Sequence, residues 1–86
     1  MKRTKLIKVL ERDIRNGKVG DRHLCPVALA TRRAKIMPKR YVAVGYKWLD
    51  RYEHWKHPPK VATFISRFDF SLPVKPFSFI AVYDGN

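Results

Sequence analysis

The sequence predicts a small α+β domain, with a sheet of about four strands carrying two or three helices on one face in the order β-α-α-β-β-α-β. Three observations carry that expectation. Val61, Phe64, Ile65 and Phe68 recur at i, i+3, i+4 and i+7, the spacing of a helix with one apolar stripe. Residues 41–46 and 77–83 are rich in β-branched and aromatic side chains, as strands are. Proline and glycine fall mostly between these stretches, where the chain must turn.

Taken in order, residues 5–14 begin with Leu6 to Val9, a short strand, and continue through Leu10 and Ile14 into a short helix. Asn16-Gly17 should end that helix, because glycine accepts the left-handed conformation that often follows a C-terminus. A second helix begins at Pro26, whose missing N–H costs nothing at the first helical position, so Cys25 falls at or beside the N-cap. Its inward face is Val27, Ala30, Thr31 and Ala34, and Met37-Pro38 closes it. Residues 41–46 form a strand with Gly45 at a turn or bulge, and residues 47–52 a weaker neighbour. Residues 53–57 and the pair Pro58-Pro59 make a loop before the third helix, which Ser71-Leu72-Pro73 breaks. In the last strand Phe77, Phe79 and Ala81 share one face, and Ile80 and Val82 the other.

With 86 residues and one cysteine, the chain is expected to be one domain (1–86) without a disulfide framework. No apolar run approaches the ~18 residues that span a bilayer, and no signal-peptide core follows the basic N-terminus, so no membrane association and a cytoplasmic location are expected.

Charge is the strongest functional signal. The chain carries 19 Lys and Arg against 7 Asp and Glu, a net charge of +12. Residues 1–43 hold 13 basic and 3 acidic side chains, and residues 44–86 hold 6 and 4. One-sided positive charge attracts polyanions through Coulomb forces and counterion release. It also simply solubilises a protein. The basic clusters are Lys2, Arg3 and Lys5, then Arg32, Arg33 and Lys35, then Lys39 and Arg40. The last five are expected to form one edge for phosphate contacts, although cations at a helix C-terminus also suit its dipole. Trp48, Tyr52 and Trp55 lie in a polar stretch and are the aromatics expected to stack on bases or to anchor a partner, with Tyr41 and Tyr46 nearby.

Catalysis is disfavoured. Cys25 sits at a helix start beside Arg22 and His23, a setting that can activate a thiol, but no base or oxyanion site can be tied to it. His23-x-Cys25 and His54-x2-His57 contain zinc-type ligands about thirty residues apart, more simply read as ordinary surface histidines. Asp50, Glu53, Asp69 and Asp84 form no carboxylate pair, and Asp69 reads as a helix-end or turn residue. No dinucleotide or P-loop fingerprint occurs, so no cofactor or metal is expected.

Three separated blocks, Cys25-Pro26-Val27-Ala28-Leu29-Ala30, Phe64-Ile65-x2-Phe68-Asp69 and Pro76-Phe77-x-Phe79, occur in one order along the chain. With Ile7-x-Val9, Gly17 and Val42-x-Val44-Gly45, they resemble a family of small bacteriophage and prophage proteins over nearly the whole length. The resemblance implies an accessory protein acting inside an infected cell, with no settled activity. Two departures stand out: Leu10 occupies a position before the first helix that is often Thr in the family, and this chain is basic where many relatives are acidic.

The expected function is therefore a non-enzymatic binding module that engages nucleic acid or a nucleic-acid-bearing host complex through its basic face. The alternatives are an inhibitor of an acidic host protein in defence or transcription, reached through the Arg and Trp surface, and a trap for an anionic nucleotide.

Overall fold

In the computed structural model, which describes residues 3–84, the order is β1 (Thr4–Val9), α1 (Glu11–Asn16), α2 (Pro26–Ala34), β2 (Trp55–Lys56), α3 (Pro59–Asp69) and β3 (Phe77–Tyr83). The sheet is antiparallel in the order β1-β3-β2. β3 therefore lies in the middle, with Ile7 opposite Phe79 and Leu6 opposite Ile80.

Alternation along the strands decides where the core sits. Ile7 and Val9 of β1 and Phe79 and Ala81 of β3 are buried, while Leu6 and Ile80 are exposed, so only one face of the sheet is covered. Val27, Ala28 and Ala30 of α2 and Val61 and Phe64 of α3 join the buried side. On α2 the expected inward face holds: Val27, Ala30 and Thr31 are buried, and the Thr31 hydroxyl donates to the Val27 carbonyl at 2.8 Å, which satisfies it inside the core. Cys25 is the N-cap and Pro26 opens the helix. The helix ends earlier than Met37-Pro38, at Ala34, where Lys35 turns left-handed at φ 56°. In α3, Phe64 contacts both Phe68 and Phe77, tying the helix to the start of β3.

Two expectations are corrected. The sheet has three strands rather than about four. Residues 39–41 form a 3-10 turn, and residues 42–50 make a tight bend with the single ladder pair Val42–Asp50 rather than two strands. That bend is closed by Ala43 N–H to Leu49 carbonyl at 3.1 Å and Gly45 N–H to Trp48 carbonyl at 2.8 Å, which leaves Tyr46 and Lys47 at its tip. Strand β2 instead comes from the stretch expected to be a loop. The buried Asp50 carboxylate accepts the N–H groups of His54 (3.0 Å) and Trp55 (2.9 Å), and Glu53 turns left-handed at φ 60°. This side-chain turn delivers Trp55 and Lys56 to β3.

The second correction concerns Gly17. It caps α1 as expected, but its φ of −71° and ψ of 154° are extended, not left-handed. A Cβ there would lie 2.5 Å from the Pro26 ring, so the glycine is required by the close approach of the α2 start.

Candidate nucleic-acid interface

Aromatic rings from three separated segments meet in a row. Tyr41 makes an edge contact with Tyr52 at 4.8 Å, Tyr52 stacks on His54 at 6.1 Å, and His54 reaches Tyr83 at 5.9 Å. The Asp50 turn is what brings them together: holding the His54 and Trp55 amides aims residues 52 and 54 to one side, between the 3-10 turn that carries Tyr41 and the end of β3 that carries Tyr83. Arginines sit along the row. Arg40 lies 5.0 Å from the Tyr41 ring, Arg51 5.6 Å from Tyr52, and Arg3 4.2 Å from Tyr83, all within cation–π range. Tyr52 is 51% exposed, the most exposed of the three tyrosines in the row.

Beside this row, the bend at residues 43–53 opens a pocket of about 380 Å³ lined by Arg22, Tyr46, Lys47, Trp48, Arg51 and Glu53, among others. Tyr46 is 81% exposed. Lys56 lies 6.0 Å from the Trp48 ring. Arg51 belongs to both the pocket and the aromatic row, which makes them neighbours.

Several carboxylates around this surface are held by the backbone they cap. Asp21 accepts the N–H groups of His23 and Leu24, Asp50 those of His54 and Trp55, and Asp69 that of Gly20. Asp13 is buried under Arg33. Accepting a hydrogen bond does not neutralise a carboxylate, and Asp50 and Glu53 line the pocket beside Arg22, Lys47 and Arg51, so the positive balance rests on the excess of cations, 19 Lys and Arg against 7 Asp and Glu in the chain.

The residues expected from the sequence divide accordingly. Arg33 does not join the phosphate edge: both its terminal nitrogens reach Asp13 at 2.7 Å, and one also donates to the Lys8 carbonyl at 2.8 Å. Burial works against an ionised Asp13, but the Arg33 hydrogen bond and the Leu10 N–H outweigh it and hold the carboxyl below its usual range. That Leu10 contact also serves the N-terminus of α1, where Leu10 has no side-chain acceptor to offer. Arg32 is partly committed, donating to the carbonyls of His23 and Lys39 and so tying α2 to the 3-10 turn. Lys35, Lys39 and Arg40 are exposed, as are Arg3 and Lys5; Lys2 lies outside the described residues. Of the expected aromatics, Tyr52 is exposed and Trp48 half-buried, whereas Trp55 is a correction. It is only 7% exposed, packed edge-on against Tyr83 at 5.3 Å as part of the core.

Arg51, His54 and Tyr83 are the members of the row that sequence reasoning missed. Arg51 and His54 flank the flagged Tyr52 and could have been found by proximity. Tyr83 had no local signal, because only strand pairing brings it there.

Cys25 is not an activated thiol. Burial pushes its pKa up, against the opposing N–H groups of Ala28 and Val27. His57 is buried with Nε2 2.8 Å from the Gly45 carbonyl, a contact that braces the bend. Among the described residues, no group of three or more His, Cys, Asp or Glu side chains is placed to hold a metal ion, and no helix is long and apolar enough to cross a membrane. Comparison with known proteins finds no matching family model, curated protein or solved structure.

Proposed function

We propose that the protein is a non-enzymatic binder of single-stranded nucleic acid, taking unpaired bases on the Tyr41–Tyr52–His54–Tyr83 row and phosphates on the arginines beside it. The supporting observation is the coincidence of this ring row, in which Tyr52 and His54 are exposed and Tyr41 and Tyr83 half-buried, with Arg3, Arg40 and Arg51 beside it. Bases have π-faces whatever their identity, so such a row binds with little sequence preference, and the guanidinium groups follow the backbone. Single strands are favoured over duplex because stacked, paired bases do not present their faces. The adjoining pocket, with Tyr46, Trp48, Arg22 and Lys47, suits one splayed-out nucleotide next to the row.

The resemblance to small phage proteins would place this activity in an infected host cell, as an accessory factor. Titration of a fluorescent oligothymidylate at low salt tests the reading. Saturable binding that competes with unlabelled single strands supports it, and no binding at about 50 mM salt, where phosphate contacts are strong, removes it.

A further inference from the structure

We infer that the free edge of β1 docks an extended acidic segment of a partner protein, which joins the sheet as an added strand. The sheet order places β1 at an edge. Tyr83 N–H donates to the Arg3 carbonyl at 2.8 Å, and the β1–β3 register makes these two residues direct partners. Hydrogen-bonded pairs alternate along an antiparallel ladder, so Arg3, Lys5, Ile7 and Val9 bond to β3 and the backbone groups of Thr4, Leu6 and Lys8 point away from it. The other side of β3 has the matching phase: Asp84 N–H reaches the His54 carbonyl at 2.7 Å and Val82 pairs with Lys56. Arg33 takes the Lys8 carbonyl, which leaves both groups of Thr4 and Leu6 and the N–H of Lys8 for an incoming strand.

Space and charge say what that strand is. A groove of about 180 Å³ runs between β1 and α2, lined by Lys5, Leu6, Lys8, Ala30 and Arg33, among others. The small side chain of Ala30 leaves room beside the edge. On the opposite face of the sheet, Leu6 and Ile80 are directly paired and each 48% exposed, so alternate apolar side chains of an added strand would cover them. Lys5 and Lys8 flank the same edge, and Arg33 beside them is paired with Asp13, so that pair adds no net negative charge there. A second copy of this chain would bring two such cationic sets along one seam, and lysines on an edge strand oppose that pairing. A nucleic-acid backbone accepts hydrogen bonds through its phosphates but cannot supply the alternating donors that the Thr4 and Leu6 carbonyls need. An acidic polypeptide strand meets both demands.

The test titrates the ¹⁵N-labelled full chain with an end-blocked peptide of about eight residues, a usual strand length, alternating Glu and Val. Expected are shifts and slowed hydrogen exchange at the amides of Thr4, Leu6 and Lys8. Leu6→Pro removes an outward N–H and no ladder bond, so it is tolerable at an edge, and it should weaken the peptide about tenfold or more. Lys8→Glu keeps every backbone group and should also weaken it, as should replacing Glu by Gln in the peptide. This second variant decides the matter if Leu6→Pro fails to fold. Unchanged Thr4 and Leu6 amides at about 1 mM peptide, beyond which affinity is negligible, overturn the proposal. Equal binding of the Gln peptide overturns its acidic part, and self-association abolished by Leu6→Pro would give the edge to a second copy.

Discussion

Arg33 and Asp13 form a two-pronged ion pair across the join between α1 and α2, with both nitrogen–oxygen distances at 2.7 Å and Asp13 only 3% exposed. The same guanidinium bonds the Lys8 carbonyl, so one side chain fastens β1, α1 and α2 together. Arg33 is thus structural, whereas Lys35, Lys39 and Arg40 are exposed.

Asp13→Asn should therefore lower stability by about 1.5–3 kcal/mol, the range for hydrogen bonds to a charged group. Because the folded-state pKa of Asp13 is depressed below 3.8, its contribution is complete above that value and is lost as pH falls through the folded pKa. Urea unfolding should show wild-type stability falling in acid, with a smaller fall in Asp13→Asn over the same window.

Nucleic-acid affinity should separate the arginines. With single strands, log affinity falls against log salt by about 0.7 per phosphate contact. Arg40→Gln and Arg51→Gln should each reduce the slope by about that amount. Arg33→Gln should leave the slope unchanged and lower the urea midpoint instead.

Tyr52 and Trp55 should behave as opposites. Tyr52→Ala should lose about 1–3 kcal/mol of oligothymidylate affinity with little change in thermal midpoint, and Tyr52→Phe should restore binding because the ring face is kept. Trp55→Ala should cost about 3–5 kcal/mol of folding stability, as removal of a buried aromatic does, measured by chemical denaturation.

Glu53 is the exposed carboxylate beside Arg51 in the pocket. Glu53→Gln should tighten oligonucleotide binding by about 0.3–1 kcal/mol, the scale of one partly screened surface charge, in low-salt fluorescence titrations.

Gly17→Ala should destabilise by about 1–3 kcal/mol, the cost of overpacking, because the new methyl meets the rigid Pro26 ring. The φ at position 17 is compatible with alanine, so the loss measured by thermal unfolding would report contact and not backbone strain.

Most of the scaffold is legible in the residues. Ile7 and Val9, the Cys25-Pro26 start of α2, the Val61–Phe64 stripe and the Phe79–Ala81 alternation each follow a short-range period that the chain carries by itself. The bend at residues 42–50 is not legible, since its apolar run suits a strand. Backbone bonds from Ala43 and Gly45 to Leu49 and Trp48 close that bend, and the Asp50 carboxylate, reaching the amides of His54 and Trp55, turns the chain that follows and recruits residues 55 and 56 to the sheet.

By itself the sequence determined the α+β class, most helix starts and inward faces, and the surplus of positive charge, because these depend on composition and on spacings of a few residues. Tertiary structure alone decided which cations are free and which aromatics form a row. Arg33 meets its carboxylate 20 residues away, and Tyr83 joins Tyr41 and Tyr52 through strand pairing. Contacts between distant residues are chosen by the global fold, and no local period encodes them.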